Sequence, residues 1–231
     1  QQGRKVRYRS VDNVVNEIVH WKNSLDISKF VFRDPVFSIK RKYTVELCEA
    51  IIKLDFKIEF LIETHLANLD DELIDVLYKA GLRFVYVGIE SVDAKILDNI
   101  KRHTANKDSQ YKIINKLESK GIMVKSMFML GNPEDNEKSM MDTIKYSSIL
   151  PNKFVQFSVF TPYPGTPVFK EFEKKIITKK MEDFNQYNLV FDHKYINNTI
   201  LKKYKHIAYK NFYLNFKNFT TVFKSIISIL R

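Results

Sequence analysis

The stretch Ala80-Gly81-Leu82-Arg83-Phe84-Val85-Tyr86-Val87-Gly88-Ile89-Glu90-Ser91 holds a complete helix-to-strand junction and the strand's exit. Upstream, Asp70 precedes Leu73, Ile74 and Leu77 at helical spacing, and Gly81 stands where a left-handed residue ends a helix. Phe84–Ile89 is a short aromatic and β-branched run, which predicts a strand. Gly88 to Ser91 then predict a polar strand exit leading into the next helix.

Working outward, the same unit recurs. Strands are predicted at about residues 30–33, 57–62, 84–89, 123–130 and 154–160, with helices near 42–54, 71–80, 92–99, 106–120 and 136–149. A further helix opens the chain: Ser10 can cap it, and Val11, Val14, Val15, Ile18 and Val19 recur at three- and four-residue intervals. Alternating strands and helices imply right-handed crossovers and an α/β fold with a parallel sheet. Five strands are too few for an eight-stranded barrel, and the first helix has no strand before it, so a partial (β/α) barrel lacking its first strand is the economical reading.

Composition sets outer limits. With 231 residues, 45% apolar and 28% charged, the chain is long enough to bury a single large core. Cys48 is the only cysteine, so an internal disulfide is impossible and a multi-thiolate metal site cannot be completed by these residues alone. The net charge of +11 is concentrated at one end: residues 1–169 hold 25 basic against 22 acidic side chains, and residues 170–231 hold 13 against 5. That division separates a barrel core, 1–169, from a basic, aromatic-rich helical tail, 170–231. In the tail's last helix, Phe212, Phe216, Phe219, Phe223, Ile227 and Leu230 form an apolar seam that is expected to dock on the barrel. Nucleic acid is not the expected partner of the basic face, and a membrane surface is the least favoured.

In parallel α/β folds, ligand chemistry sits at the carboxyl ends of the strands. The exits here are Asp34-Pro35, Glu63-Thr64-His65, Gly88-Ile89-Glu90-Ser91, Gly131-Asn132-Pro133-Glu134 and Thr161 to Pro167. Glu90 can accept two hydrogen bonds from a ribose diol, or cap the helix after it. Asp34 either forms a turn or faces an ammonium group, and Gly88 and Gly131 either admit a ligand or simply turn the chain. His65 could shuttle a proton, whereas the remaining histidines lack partners at zinc spacing. Neither a Gly-rich phosphate loop nor a Gly-x-Ser-x-Gly elbow occurs, which removes the usual nucleotide-triphosphatase and hydrolase classes. Cys48 lies on a helix's apolar face and is expected to be a buried structural thiol.

Taken in order, Gly3-Arg4-Lys5-Val6-Arg7-Tyr8-Arg9-Ser10, Phe32-x-Asp34-x-x-Phe37, Glu63-Thr64, Ala80-Gly81-Leu82-x-x-Val85-x-Val87-Gly88-Ile89-Glu90-Ser91, Gly131-x-Pro133-Glu134 and Thr161-Pro162-Tyr163-Pro164-Gly165-Thr166-Pro167 resemble the radical S-adenosylmethionine (SAM) superfamily. The likeness points to the branch of anaerobic magnesium-protoporphyrin cyclase and cobalamin-dependent radical methyltransferases. Methylthiotransferases share parts of the pattern.

The resemblance implies SAM and a four-iron four-sulfur cluster as cofactors, with cobalamin held by an amino-terminal domain. It implies that Glu90 contacts the SAM ribose, that Leu130 and Gly131 lie near the adenine, that Asp34 occupies a strand end near the methionine moiety, and that Glu63 and Gly88 belong to the same cofactor site. His65 stands where this branch commonly has arginine. No metal ligand is expected within the chain; the cluster cysteines, Cys-x3-Cys-x2-Cys, are expected just upstream of Gln1, making this a fragment that is inactive alone. The implied activity is reductive cleavage of SAM to a 5′-deoxyadenosyl radical acting on a small-molecule substrate in the cytoplasm. A non-catalytic barrel kept as a binding or scaffold module, and an RNA-modifying radical enzyme, are the alternatives.

Overall fold

The computed structural model of the protein describes residues 6–93, 96 and 106–215. Its elements run α1 (Val11–Leu25), β1 (Lys29–Val31), α2 (Arg41–Ile52), β2 (Glu59–Thr64), α3 (Asp71–Ala80), β3 (Leu82–Glu90), α4 (Lys107–Ser119), β4 (Met123–Leu130), α5 (Glu137–Ile149), β5 (Phe154–Val159), α6 (Pro167–Phe172) and α7 (Asn198–Tyr213). The strands lie in the order β1-β2-β3-β4-β5, every neighbouring pair parallel. The sheet curls into a half-barrel with the helices on its convex side.

Local chemistry explains the boundaries. Ser10 accepts from the Asn13 amide at 3.2 Å and Asp70 from the Leu73 amide at 2.8 Å, each capping its helix. Gly81 takes φ +113°, and a Cβ there would fall 2.1 Å from the Ile58 carbonyl oxygen, so only glycine fits between α3 and β3. β2 starts and ends two residues later than the sequence suggests, which draws Glu63 and Thr64 into the strand. Pairing explains the shift: Glu63 and Thr64 continue the ladder opposite Tyr86 and Val87. The helix expected near 92–99 lies mostly outside the described residues, as does the apolar seam of the last helix beyond Phe212.

Strand alternation divides the sheet into two faces. Phe60, Ile62, Val85, Val87, Ile89, Val124, Phe128, Leu130, Val155, Phe157 and Val159 are buried and join the core under the helices. The residues between them, including Leu61, Glu63, Phe84, Tyr86, Gly88, Met127 and Gln156, are half-buried on the concave face.

The two sheet edges differ. At β5, the amides of Phe157 and Val155 donate to the Tyr209 and Tyr213 hydroxyls at 3.2 and 3.4 Å, and the Val159 amide donates to the Gln186 carbonyl at 2.8 Å. The segment after residue 169 therefore closes this edge with two tyrosine hydroxyls and one backbone carbonyl in place of another strand. α7 buries Leu201, Ala208 and Phe212 in the common core. At β1 a cavity of about 810 Å³ lies between the strand, α1 and residues 6–9.

Candidate functional site

The exit of β3 carries the most specialised backbone. Register runs Gly88↔Met127 and then Glu90↔Phe128, so Ile89 is an extra residue and β3 bulges. Glu90 takes φ +66°, and the Ser91 amide closes back on the Ile89 carbonyl at 3.0 Å, making a three-residue turn centred on a non-glycine residue. Such conformations are costly and concentrate where a side chain must be aimed. The aim is visible: a Cβ on Gly88 would stand 2.9 Å from Glu90 Oε1. The glycine makes room for the carboxylate to fold over it on the concave face. Just beyond this turn, the Asp93 amide donates to Ser91 Oγ at 3.2 Å.

Glu63 shares that face, opposite Tyr86. Its carbonyl accepts from the Phe37 amide at 2.9 Å, which ties the turn after Asp34 to β2. Beneath it, the Ser38 and Thr64 hydroxyls bond each other out of solvent. Asp34 is exposed and lines the cavity beside β1. The Tyr43 phenol near it is held above its ordinary pKa by burial first and by the Asp34 charge second. His65 Nδ1 accepts from the Ala67 amide at 3.3 Å, a local capping task.

Leu130 is fully buried on the helix side, with its carbonyl accepting from the Phe160 amide at 3.0 Å. Gly131 takes φ +71°, and its missing Cβ would touch Leu189 and Leu201 at 3.4 and 3.5 Å. The structure thus brings Gly88 and Glu90 into contact, sets Glu63 on the same face, places Asp34 on the β1 cavity, buries Leu130 in the core and packs Gly131 against Leu189 and Leu201.

Two features escape a reading of strand exits. One is a buried knot: Asp135 accepts from the Asn132 amide at 2.9 Å, from Asn132 Nδ2 at 3.1 Å and from Ser139 Oγ, while His193 Nε2 lies 2.8 Å from the Asn132 carbonyl oxygen. His193 Nδ1 accepts from the Tyr195 and Ile196 amides, so Nε2 carries the proton and donates to Asn132. Burial pushes the Asp135 carboxyl up, against the lowering effect of these bonds. The other is a row across the concave face, Glu63–Tyr86–Lys125–Phe154, set by the ladder register. The alternation Met123-Lys125-Met127-Met129 against Val124-Ser126-Phe128-Leu130 is the sequence signal for it.

The residues present differ in how they suit the implied cofactors. Cys48 is 0% exposed within α2, and burial pushes its thiol up to about 12, so it is neither accessible nor readily a thiolate. Among the described residues, no group of three or more His, Cys, Asp or Glu is placed to hold a metal. The chain therefore does not fit an iron–sulfur cluster by itself. The Gly88–Glu90 cradle does fit a vicinal diol, because a fixed carboxylate offers two adjacent acceptors.

The sequence and the fold have counterparts among known proteins. The chain is 28% identical over 196 residues to bacteriochlorophyllide d C-12(1)-methyltransferase of Chlorobaculum tepidum, covering 83% of this chain and 42% of that protein. It is 28% identical over 189 residues to anaerobic magnesium-protoporphyrin IX monomethyl ester cyclase of Rubrivivax gelatinosus, covering 81% and 33%. The chain thus spans less than half the length of these relatives. Its fold is similar to the radical SAM methyltransferase TsrM of Kitasatospora setae, solved with cobalamin and a 4Fe-4S cluster bound, at TM-score 0.65 and 18% identity over 72% of this chain and 32% of that one. The family model described as the radical SAM superfamily matches residues 1–147, well over half the chain, and this protein belongs to that superfamily.

Proposed function

We propose that the parent of this chain is a cytoplasmic radical SAM enzyme that generates a 5′-deoxyadenosyl radical and acts on a small-molecule substrate, with cobalamin-dependent methyl transfer or ring formation as the outcome. The observation that carries the reading is the strained Glu90 folded over Gly88 at the β3 exit, a geometry with the chemistry of a ribose clamp. In this reading Asp34 lies toward the methionine end, Glu63 belongs to the same cofactor site, and the backbone at Leu130 and Gly131, whose side positions face the core, passes near the adenine. Thiolates for the cluster would have to be supplied by cysteines other than the buried Cys48, the single cysteine of these 231 residues. The names of the relatives, a methyltransferase and a cyclase, support the two outcomes, and the cobalamin bound to the structural neighbour supports an amino-terminal cobalamin domain as partner.

The test is anaerobic: the parent polypeptide, reconstituted with iron and sulfide and reduced with dithionite, is given SAM, and 5′-deoxyadenosine is measured. Its formation in proportion to enzyme supports the reading. A reconstituted protein that leaves SAM intact points to a non-catalytic scaffold.

A further inference from the structure

We propose that the concave face of β3, β4 and β5 recognises its substrate through a carboxylate, bound by the Lys125 ammonium beside the ring of Tyr86. This deepens the function proposed above and rests on the concave face being the substrate's side of the sheet.

Lys125, the third of the eight residues of β4, lies on the concave face between Tyr86 on β3 and Phe154, the first residue of β5. Its Nζ lies 3.6 Å from the centroid of the Tyr86 ring. The surroundings are aromatic and soft: Phe84 meets Tyr86 and Phe154 at 5.4 Å each, and Met127 stands one step above on the same face. Among the described residues no carboxylate forms an ion pair with Lys125, and a half-buried ammonium left with one ring as partner is under-compensated. Glu63, in the same row, is two strands away, a Cα separation of about 9–10 Å, with Tyr86 between them.

That arrangement selects chemistry. A single ammonium neutralises a single negative charge, which favours a carboxylate over a doubly charged phosphate. The Phe84, Tyr86 and Phe154 rings and the methionine thioether favour a flat unsaturated body next to that group. Glu63 repels an anion from the β2 side, so the ligand's charged end is directed to β4.

The probes are 2-naphthoate and its uncharged isostere 2-naphthamide, titrated by fluorescence into this chain and into Lys125→Met and Lys125→Arg, with SAM titrated into the same samples. Parent protein should bind the carboxylate about tenfold or more tightly than the amide. Lys125→Met should erase the difference, and Lys125→Arg should keep it. Equal affinity for the two probes in the parent, discrimination that survives in Lys125→Met, or no saturable 2-naphthoate binding in the millimolar range overturns the proposal. SAM affinity unchanged in Lys125→Met assigns the effect to the substrate side; loss of SAM binding together with naphthoate binding shows that the lysine serves the cofactor and overturns it. Absence of SAM binding in the parent, with naphthoate discrimination intact, counts against the cofactor reading alone.

Discussion

Glu90 adopts a backbone conformation that its side chain disfavours, and the return on that strain is a carboxylate fixed over Gly88. Gly88→Ala places a methyl group 2.9 Å from Oε1, so the carboxylate must swing away. SAM affinity is expected to fall about tenfold or more while the melting temperature changes little, as calorimetry and a thermal melt of the same sample will read. Asp135 provides a pH signature. Its folded pKa is raised above its unfolded value, chiefly by burial, so the folded state holds the proton more tightly across the window between the two values. Stability therefore falls as pH rises through that window, the reverse of a salt-bridged carboxylate. Asp135→Asn keeps an acceptor toward Asn132 and removes the charge, and thermal melts from about pH 4 to pH 7 should show a shallower loss in the variant than in the parent. The site was legible in part at this scale. Glutamate and glycine at a strand exit are visible in the sequence, but a left-handed glutamate is not, because nothing local requires it and only the register jump opposite Met127 and Phe128 creates it.

At the scale of elements, the junction between α3 and β3 depends on one glycine. Gly81→Ala meets the Ile58 carbonyl at 2.1 Å in addition to its φ of +113°, and should destabilise the fold by about 2 kcal/mol or more in urea unfolding. The closed edge of β5 depends on two tyrosines one helical turn apart. Tyr209→Phe keeps the ring that packs on Phe157 at 5.3 Å but leaves the buried Phe157 amide unpaired, a loss of about 1–2 kcal/mol. If urea midpoints of Tyr209→Phe and the parent coincide, the hydroxyl is not what closes the edge. The sequence exposes strands through their apolar runs, and β4 falls on its expected bounds, 123–130. It misplaces β2 because Glu63-Thr64 looks like a polar exit, whereas Thr64 is buried by its bond to Ser38. Edge closure by Tyr209 and Tyr213 joins residues over fifty positions apart, a separation no local pattern reports.

For the whole molecule, the asymmetry of the sheet is the organising fact. β5 is sealed by the 170–215 segment, β1 adjoins the cavity of about 810 Å³, and the concave face between them carries Glu63, Gly88, Glu90 and Lys125. No helix among the described residues is long and apolar enough to cross a membrane. The parallel half-barrel was legible from the repeating unit, and the family from the order of its strand-exit motifs. The row Glu63–Tyr86–Lys125–Phe154 was not, since its residues are spread one to a strand and acquire a common direction only through register. In the proposed function this half-barrel clamps the SAM ribose with Glu90, which a titration of SAM into this chain and into Glu90→Gln, paired with melts of both, will read. Losing a charge-assisted bond should weaken SAM binding about 10- to 150-fold at an unchanged melting temperature. Equal SAM affinity with a lowered melting temperature in Glu90→Gln would rule out the ribose clamp and leave Glu90 a purely structural residue.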